Sequence, residues 1–155
     1  MDLTVYGGTG FVGSEFVAQH WQKDDLWLAP RWSRRPNPYK TTDMVYFIST
    51  THNYHVFDDP TEDVRTNLLV LTETLDSWKR NNPEGVFNFI SSWFVYGPRN
   101  GFERAGKTRE DETCRPQGFY SITKYCAEQL IESFCRTHGL KYRILRLCNI
   151  LGPGD

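Results

Sequence analysis

Four glycines fall within the first thirteen residues of the chain, in the segment GGTGFVG. They satisfy two overlapping patterns, GxxGxxG from Gly7 and GxGxxG from Gly8, which share Gly10 and Gly13. Between a strand and a helix, such a segment lets backbone N–H groups and the positive helix N-terminus face a pyrophosphate at close range. A plain tight turn is the alternative. The position after the first predicted strand favours a dinucleotide phosphate, bound by Gly7, Gly8, Thr9, Gly10, Phe11, Val12 and Gly13.

The segment after the second predicted strand indicates which dinucleotide binds. NAD-binding domains carry an acidic residue there, about 20 residues beyond the glycines, that hydrogen-bonds the ribose. Here the sequence is APRWSRRP, with Arg31, Arg34 and Arg35 and no carboxylate. Guanidinium groups suit a 2′-phosphate by charge and by bidentate geometry. The arginines therefore predict NADP, with NAD as the alternative cofactor, while a solvated basic loop is the other interpretation.

Short apolar runs alternate with longer amphipathic segments along the chain. β-Branched and aromatic runs predict strands at residues 3–7, 26–32, 43–50, 85–92 and 141–150. Apolar residues at helical spacing predict helices at residues 11–21, 60–80 and 119–139. This order predicts an α/β fold, a Rossmann-type doubly wound parallel sheet with helices on both faces. The polar stretch at 97–118 is expected to be a functional or mobile loop.

The composition argues against several classes of function. The 155 residues carry 18 basic and 19 acidic side chains, which gives a net charge of −1. Proteins that bind nucleic acid or an anionic membrane usually carry an excess of positive charge, so this balance argues against both. The four cysteines include no CxxC pair and lie at no metal-ligand spacing from a histidine, which argues against a disulfide framework and a zinc site. No apolar run reaches membrane-spanning length. One cytoplasmic domain without a metal, residues 1–155, is expected.

Three further segments complete a pattern. YSITK places Tyr120 and Lys124 four residues apart, on one face of a predicted helix. FISSWFVYG ends a strand with Ser91 and Ser92, and ILRLCNILGPGD contains the last predicted strand. Together with GGTGFVG, and in this order along the chain, these segments resemble the extended short-chain dehydrogenase/reductase family, in particular its nucleotide-sugar epimerases, dehydratases and reductases.

The resemblance implies roles for individual residues. Tyr120 resembles the catalytic acid/base, Lys124 the lysine that lowers its pKa and binds the nicotinamide ribose, and Ser92 the residue that orients the substrate oxygen. Ser91 is assigned to the cofactor pocket, and Asn67 to support of the cofactor or of a proton relay. A free tyrosine has a pKa near 10, which a neighbouring ammonium and a positive nicotinamide ring would bring closer to neutrality. The alternatives are a packing tyrosine, a solvated lysine, a strand-end serine and an exposed asparagine.

Three departures from the family pattern bear on activity. Ser92-Trp93-Phe94 stands where the 4,6-dehydratases usually carry Thr-Asp-Glu, which argues against elimination of water. Only residues 36–42 separate the arginines from the strand that begins at Asp43, so one strand–helix unit after the second strand is expected to be missing. The chain stops at GPGD, where family members continue. The C-terminal substrate-binding domain is therefore expected to be absent or truncated.

Two functions from different classes follow. The first is an NAD(P)-dependent oxidoreductase that acts on a nucleotide-sugar, as an epimerase or a ketosugar reductase, by hydride transfer with Ser92, Tyr120 and Lys124. The alternative is a non-catalytic or truncated dinucleotide-binding module. The intact Ser/Tyr/Lys set favours the enzyme, because a binding module does not require it. The resemblance also implies a homodimer that packs through residues 60–80 and 119–139.

Overall fold

A five-stranded parallel sheet is the frame of the protein. The computed structural model describes residues 3–20, 26–29, 43–51, 57–81, 84–97 and 108–152. The strands are β1 (Leu3–Tyr6), β2 (Leu26–Ala29), β3 (Asp43–Tyr46), β4 (Val86–Ser92) and β5 (Lys141–Leu147). The helices are α1 (Phe11–His20), α2 (Glu62–Val64), α3 (Val70–Asn81) and α4 (Phe119–His138), with a π-helical turn (Arg65–Leu69) between α2 and α3 and a 3₁₀ turn (Trp93–Tyr96) after β4. The predicted α/β order is confirmed.

The strands lie in the order β2-β1-β3-β4-β5, and every neighbouring pair is parallel. Parallel pairing puts the carboxyl ends of all strands at one edge, so the segments that follow Tyr6, Tyr46 and Ser92 lie side by side. In the part of the chain that the structure describes, β2 is an outer strand of the sheet. Residues 30–42, where the missing unit is expected, lie outside that part.

Two hydrophobic clusters cover the two faces of the sheet, because side chains alternate along each strand. On one face, α3 and α4 pack on β3 and β4 through Met44, Tyr46, Leu71, Leu75, Trp78, Phe87, Phe89, Ala127, Ile131 and Cys135. On the other face, Leu3, Val5 and Val45 pack against Phe16 and Val17 of α1. Each large side chain buried in this way contributes about 1.5–3 kcal/mol. The first cluster therefore fixes α4, which carries the YSITK segment, against β4.

An apolar hollow of about 810 Å³ lies on the α1 face of the sheet. Its walls come from α1, from β3 to β5 and from the segment after β5, and include Phe11, Ile90, Leu145 and Leu151. Leu145 is 44 % exposed and Leu151 is 83 % exposed. Neither Ser92 nor Tyr120 lines the hollow. The hollow is therefore separate from the polar site described below.

No helix in the described ranges is long and apolar enough to cross a membrane. The same residues contain no group of three His, Cys, Asp or Glu side chains that could hold a metal ion. Cys114, Cys126, Cys135 and Cys148 are free thiols. Cys135 is buried in the cluster under α4, and this burial raises the pKa of its thiol to about 11. A thiol with such a pKa acts as a packing residue rather than as a nucleophile.

Candidate active site

The glycine segment forms a tight turn between β1 and α1. Gly7 has a φ of +78°, and a Cβ on it would lie 2.8 Å from the backbone nitrogen of Ile48. A Cβ on Gly13 would lie 2.2 Å from the carbonyl oxygen of Gly7. The Gly10 N–H donates to that same carbonyl at 3.1 Å. Both Gly7 and Gly13 are thus required by the protein itself, because they let the turn, the helix and the segment after β3 come into close contact.

Packing does not require a glycine at position 10. Gly10 is exposed at the start of α1, and among the described residues a Cβ there would meet only the Gly7 carbonyl, at an ordinary 3.4 Å. The described residues therefore leave open space in front of this backbone. The N–H groups of Phe11, Val12 and Gly13 occupy the first turn of the helix, where no intrahelical acceptor exists. This exposed backbone at a helix N-terminus fits a dinucleotide pyrophosphate.

The ribose end of the predicted cofactor site is only partly described. Tyr6 of β1 pairs with Ala29 of β2, so the chain leaves β2 at the same edge as the glycine turn. Arg31, Arg34 and Arg35 follow within a few residues of that edge in the sequence, and they lie outside the described residues.

Tyr120 and Ser92 come together at the carboxyl edge of the sheet. Tyr120 lies in the first turn of α4, and the hydroxyls of Ser92 and Ser49 stand close enough to its phenol to lower its pKa. The Phe94 ring meets the Tyr120 ring edge-on, with 6.2 Å between the centroids. Burial raises the pKa of Tyr120, the two serine hydroxyls lower it, and the Asp63 charge raises it. Burial is the largest of these influences, so the protein alone favours the protonated phenol.

Lys124 is buried rather than solvated, with an exposure of 2 %. Its ammonium donates to the carbonyl oxygen of Ile90 at 2.7 Å and lies 4.3 Å from the centre of the Phe89 ring. Burial lowers the pKa of Lys124 to about 7, against the opposing influence of Glu128. The solvated-lysine alternative is therefore wrong. The ammonium was expected to lower the pKa of Tyr120, whereas the protein groups together raise it.

Asn67 lies in the π-helical turn between α2 and α3 and is 3 % exposed, so the exposed-asparagine alternative is wrong. Its amide nitrogen donates to the hydroxyls of Thr50 and Thr123, both at 2.9 Å. Its amide oxygen accepts from the Thr50 backbone N–H at 3.0 Å and from the Ser49 hydroxyl at 3.1 Å. All of its donors and lone pairs are thus used. Single π-helical turns of this kind often occur at functional sites.

Three polar residues of this site were not identified from the sequence. Ser49 and Thr50 follow β3, and Asp63 lies in α2. Asp63 is 1 % exposed and accepts a hydrogen bond from the Thr50 hydroxyl. A usable signal was present, since polar residues at the carboxyl end of a parallel strand commonly face a ligand site. The third strand was predicted to run to residue 50, whereas β3 ends at Tyr46, so Ser49 and Thr50 were not recognised as residues that follow a strand end.

Ser91 is hydrogen-bonded inside the protein. Its hydroxyl donates to Glu128 at 2.5 Å, and the residue is 4 % exposed. Glu128 also accepts from Arg146 at 2.7 Å, and the guanidinium of Arg146 donates to the Tyr96 hydroxyl at 2.8 Å. Ser91 lies on the sheet face that α4 covers, as do Phe87 and Phe89 two and four residues before it. Ser91 therefore braces α4 against β4 and β5 by donating its hydroxyl hydrogen to Glu128; its assignment to the cofactor pocket stays a prediction.

The glycine turn and the hydroxyl cluster belong to a chain whose sequence matches a known family. Residues 37–155 match the NAD dependent epimerase/dehydratase family. The chain belongs to this family. A GDP-6-deoxy-D-mannose reductase of Pseudomonas aeruginosa is 27 % identical over 169 residues, covering 99 % of this chain and 53 % of the reductase. A dTDP-glucose 4,6-dehydratase of Streptomyces antibioticus is 28 % identical over 193 residues, covering 99 % of this chain and 54 % of the dehydratase.

Solved structures agree with this assignment. RMD from Pseudomonas aeruginosa, complexed with NADPH, superposes with a TM-score of 0.86 at 28 % identity, over 100 % of this chain and 57 % of RMD. A UDP-glucose 4-epimerase from Thermus thermophilus, complexed with NAD, superposes with a TM-score of 0.81 at 20 % identity, which supports the fold. The resemblance to extended short-chain dehydrogenases/reductases is confirmed. The chain spans about half the length of the curated relatives it matches.

Proposed function

We propose that the protein is an NAD(P)-dependent oxidoreductase or epimerase that acts on a nucleotide-sugar. The observation that carries the proposal is the position of Tyr120 beside Ser92 at the end of β4, where the Phe94 ring meets the Tyr120 ring at 6.2 Å, at the sheet edge that also holds the glycine turn. This pair supplies an acid/base and a hydrogen-bonding group for a substrate oxygen. The reductase, dehydratase and epimerase named above each carry a nucleotide-linked sugar in their names, which supports the substrate class.

The residues divide the chemistry between them. Bound NADP(H) would supply the hydride acceptor or donor. Tyr120 exchanges a proton with the sugar oxygen at its phenol oxygen, and Ser92 holds that oxygen by a hydrogen bond. Because burial raises the pKa of Tyr120, the phenol is protonated at neutral pH and is ready to protonate a reduced carbonyl.

The dinucleotide is assigned to the edge between the glycine turn and Tyr120. The first turn of α1 would bind the pyrophosphate, and Lys124 would bind the nicotinamide ribose. Arg31, Arg34 and Arg35 would bind a 2′-phosphate, so NADP is the preferred cofactor and NAD the alternative. Support for this assignment comes from the open space in front of Gly10.

The residues after Ser92 argue against a 4,6-dehydratase. Elimination of water needs an acid and a base beside the sugar, whereas this chain has Trp93 and Phe94 there. The Phe94 ring packs edge-on against Tyr120, and the Trp93 indole donates to Asn149 at 3.0 Å. Neither side chain can exchange a proton with a substrate. Reduction or epimerisation therefore remains the proposed reaction.

Substitution of Tyr120 tests the proposal. Hydride transfer from NADPH to nucleotide-linked 4-ketosugars is followed by the absorbance of reduced nicotinamide. Tyr120→Phe is expected to lower the rate by about 10²–10⁴-fold, since the phenol supplies the proton. Tyr125→Phe is the matched control, because Tyr125 lies on the same helix and has no proposed catalytic role. Equal rates for wild type and Tyr120→Phe would contradict the proposed role.

A dinucleotide-binding module without turnover is the second candidate. It is favoured by the open backbone in front of Gly10, which would serve cofactor binding without the Ser/Tyr/Lys set. The two candidates differ in one result. A module binds NADPH and transfers no hydride to any nucleotide-ketosugar, whereas the enzyme does both.

We also propose a homodimer. Apolar side chains lie on the solvent side of the helices that pack on β3 and β4, with Leu69 59 % exposed, Ile122 45 % and Leu130 41 %. Pairing these helices with those of a second copy would bury this surface. Light scattering on the 18.1 kDa chain is expected to give twice the chain mass, and a monomer mass at micromolar concentration would contradict the proposal.

A further inference from the structure

Two aromatic side chains, Trp93 and Phe94, follow Ser92 at the carboxyl edge of the sheet. They open the 3₁₀ turn, which Ser92 caps, because the Ser92 hydroxyl oxygen accepts the Phe94 N–H at 3.3 Å. The centroids of the Trp93 and Phe94 rings lie 5.0 Å apart, and the Phe94 ring meets the Tyr120 ring at 6.2 Å. Trp93 is therefore linked to the proposed acid/base through a single intervening ring.

The orientation of the Trp93 ring is fixed by a hydrogen bond between two strand ends. The indole N–H donates to the amide oxygen of Asn149 at 3.0 Å, and Asn149 lies two residues beyond the end of β5. Ser92 pairs with Leu147 in the sheet, so this hydrogen bond joins the segments that leave β4 and β5. An indole has one donor and no acceptor. The bond to Asn149 therefore uses the one polar atom of the Trp93 side chain, and the rest of the ring is apolar surface.

Trp93 is not a core residue. It is half-buried, whereas Trp78, in the cluster under α3 and α4, is 2 % exposed. A ring that serves only packing stabilises the fold most when it is fully buried, and holding a side chain in one rotamer costs entropy. An oriented, accessible ring next to a few polar groups is typical of small-molecule sites, in which aromatic side chains supply the apolar contact.

The apolar face of a sugar ring fits such a surface. The face of an aromatic ring carries partial negative charge, and the C–H groups on one face of a pyranose carry partial positive charge. The side chains that contact the indole, Phe94 and Asn149, carry no charge. In this arrangement Ser92 and Tyr120 bind the reacting oxygen, and Trp93 contacts the carbon skeleton of the same sugar.

We infer that Trp93 is a substrate-binding residue: its indole packs against the C–H face of the sugar whose oxygen Ser92 and Tyr120 hold, and Asn149 is the positioning residue that orients the indole. This inference rests on the proposed function, which supplies the sugar. It assigns to Trp93 affinity for the sugar part of the substrate and none for the nucleotide part.

The indole N–H resonance of Trp93 tests this inference without turnover. The chain has five tryptophans, and the resonance of Trp93 is the one that Trp93→Phe removes from the N–H NMR spectrum. The full chain with NADP is titrated with UDP-glucose, GDP-mannose and dTDP-glucose, and separately with UDP, GDP and dTDP. At least one nucleotide-sugar is expected to shift this resonance, whereas the free nucleoside diphosphates are expected to leave it in place.

Variants at the two strand ends measure the contribution of the ring. Trp93→Ala is expected to weaken binding of that nucleotide-sugar about 3- to 10-fold, because one aromatic contact is lost, and Trp93→Phe is expected to retain most of the affinity. Asn149→Ala is expected to weaken binding in the same direction, and Asn149→Asp, which keeps an acceptor oxygen, to restore it. Phe134→Ala is the control, because Phe134 is a half-buried ring about four turns beyond Tyr120 on α4.

The outcomes separate this inference from the proposed function. A Trp93 resonance that no nucleotide-sugar moves, or equal affinities of wild type and Trp93→Ala, would overturn the inference. Hydride transfer whose kcat/KM is the same in wild type and Trp93→Ala would also overturn it, with the proposed function intact. A nucleotide-sugar that shifts the Trp93 resonance but receives or gives no hydride in the wild type would overturn the proposed function instead.

Discussion

Replacing the buried Lys124 by methionine is predicted to stabilise the protein at neutral pH. Burial lowers the pKa of Lys124 from 10.5 to about 7. Between these values the unfolded chain binds a proton that the folded chain does not, so the free energy of unfolding rises with pH in that window. Burial of Lys124, which is mostly a neutral amine in the folded chain near pH 7.5, thus costs the wild type about 4 kcal/mol at that pH. Loss of the hydrogen bond to Ile90 in Lys124→Met costs about 1–3 kcal/mol at every pH.

The assay compares unfolding in urea at two pH values. The net stabilisation by Lys124→Met is expected to be about 1–3 kcal/mol near pH 7.5 and to fall by about 2 kcal/mol by pH 9. Cys135 and Tyr120, whose pKa values are raised, are common to both proteins and cancel in the difference. Lys141→Met is the control, because Lys141 is exposed on β5. A stability difference that does not change with pH would refute this account of Lys124.

Two further predictions concern packing. Glu128→Ala leaves the guanidinium of Arg146 and the Ser91 hydroxyl without their buried carboxylate. Urea unfolding is expected to show that the free energy of unfolding falls by about 3–5 kcal/mol. A fall of less than about 1 kcal/mol would contradict the structural role assigned to Glu128. Gly13→Ala puts a Cβ 2.2 Å from the Gly7 carbonyl oxygen, so the midpoint of thermal unfolding is expected to fall by several degrees. Gly10→Ala is expected to leave this midpoint unchanged and to weaken NADPH binding about tenfold or more. Equal effects of the two glycine substitutions on stability would contradict their assigned roles.

Local patterns made most of the frame predictable. The alternation of short apolar runs and amphipathic segments located the five strands and the long helices, because each pattern reflects which face an element buries. The glycine spacing located the turn before α1, since Gly7 and Gly13 leave no room for a side chain. Four-residue spacing put Tyr120 and Lys124 on one side of α4.

Contacts between distant segments were not predictable in the same way. Ser49 and Asn67 meet across 18 residues of sequence, one after the end of β3 and the other in the π-helical turn. Neither feature has a local sequence signature as clear as a glycine turn. The burial of Lys124 and the use of Ser91 inside the protein likewise depend on how α4 packs on β4.

Calorimetric titration of the folded chain with NADPH, and separately with NADH, tests the central claim most directly. The open backbone at Gly10 and the arginines after β2 predict that both bind and that NADPH binds more tightly. Tighter binding of NADH would contradict the role of Arg31, Arg34 and Arg35 while leaving the glycine turn intact. No binding of either dinucleotide, by a chain shown to be folded, would contradict the account of the site as a whole.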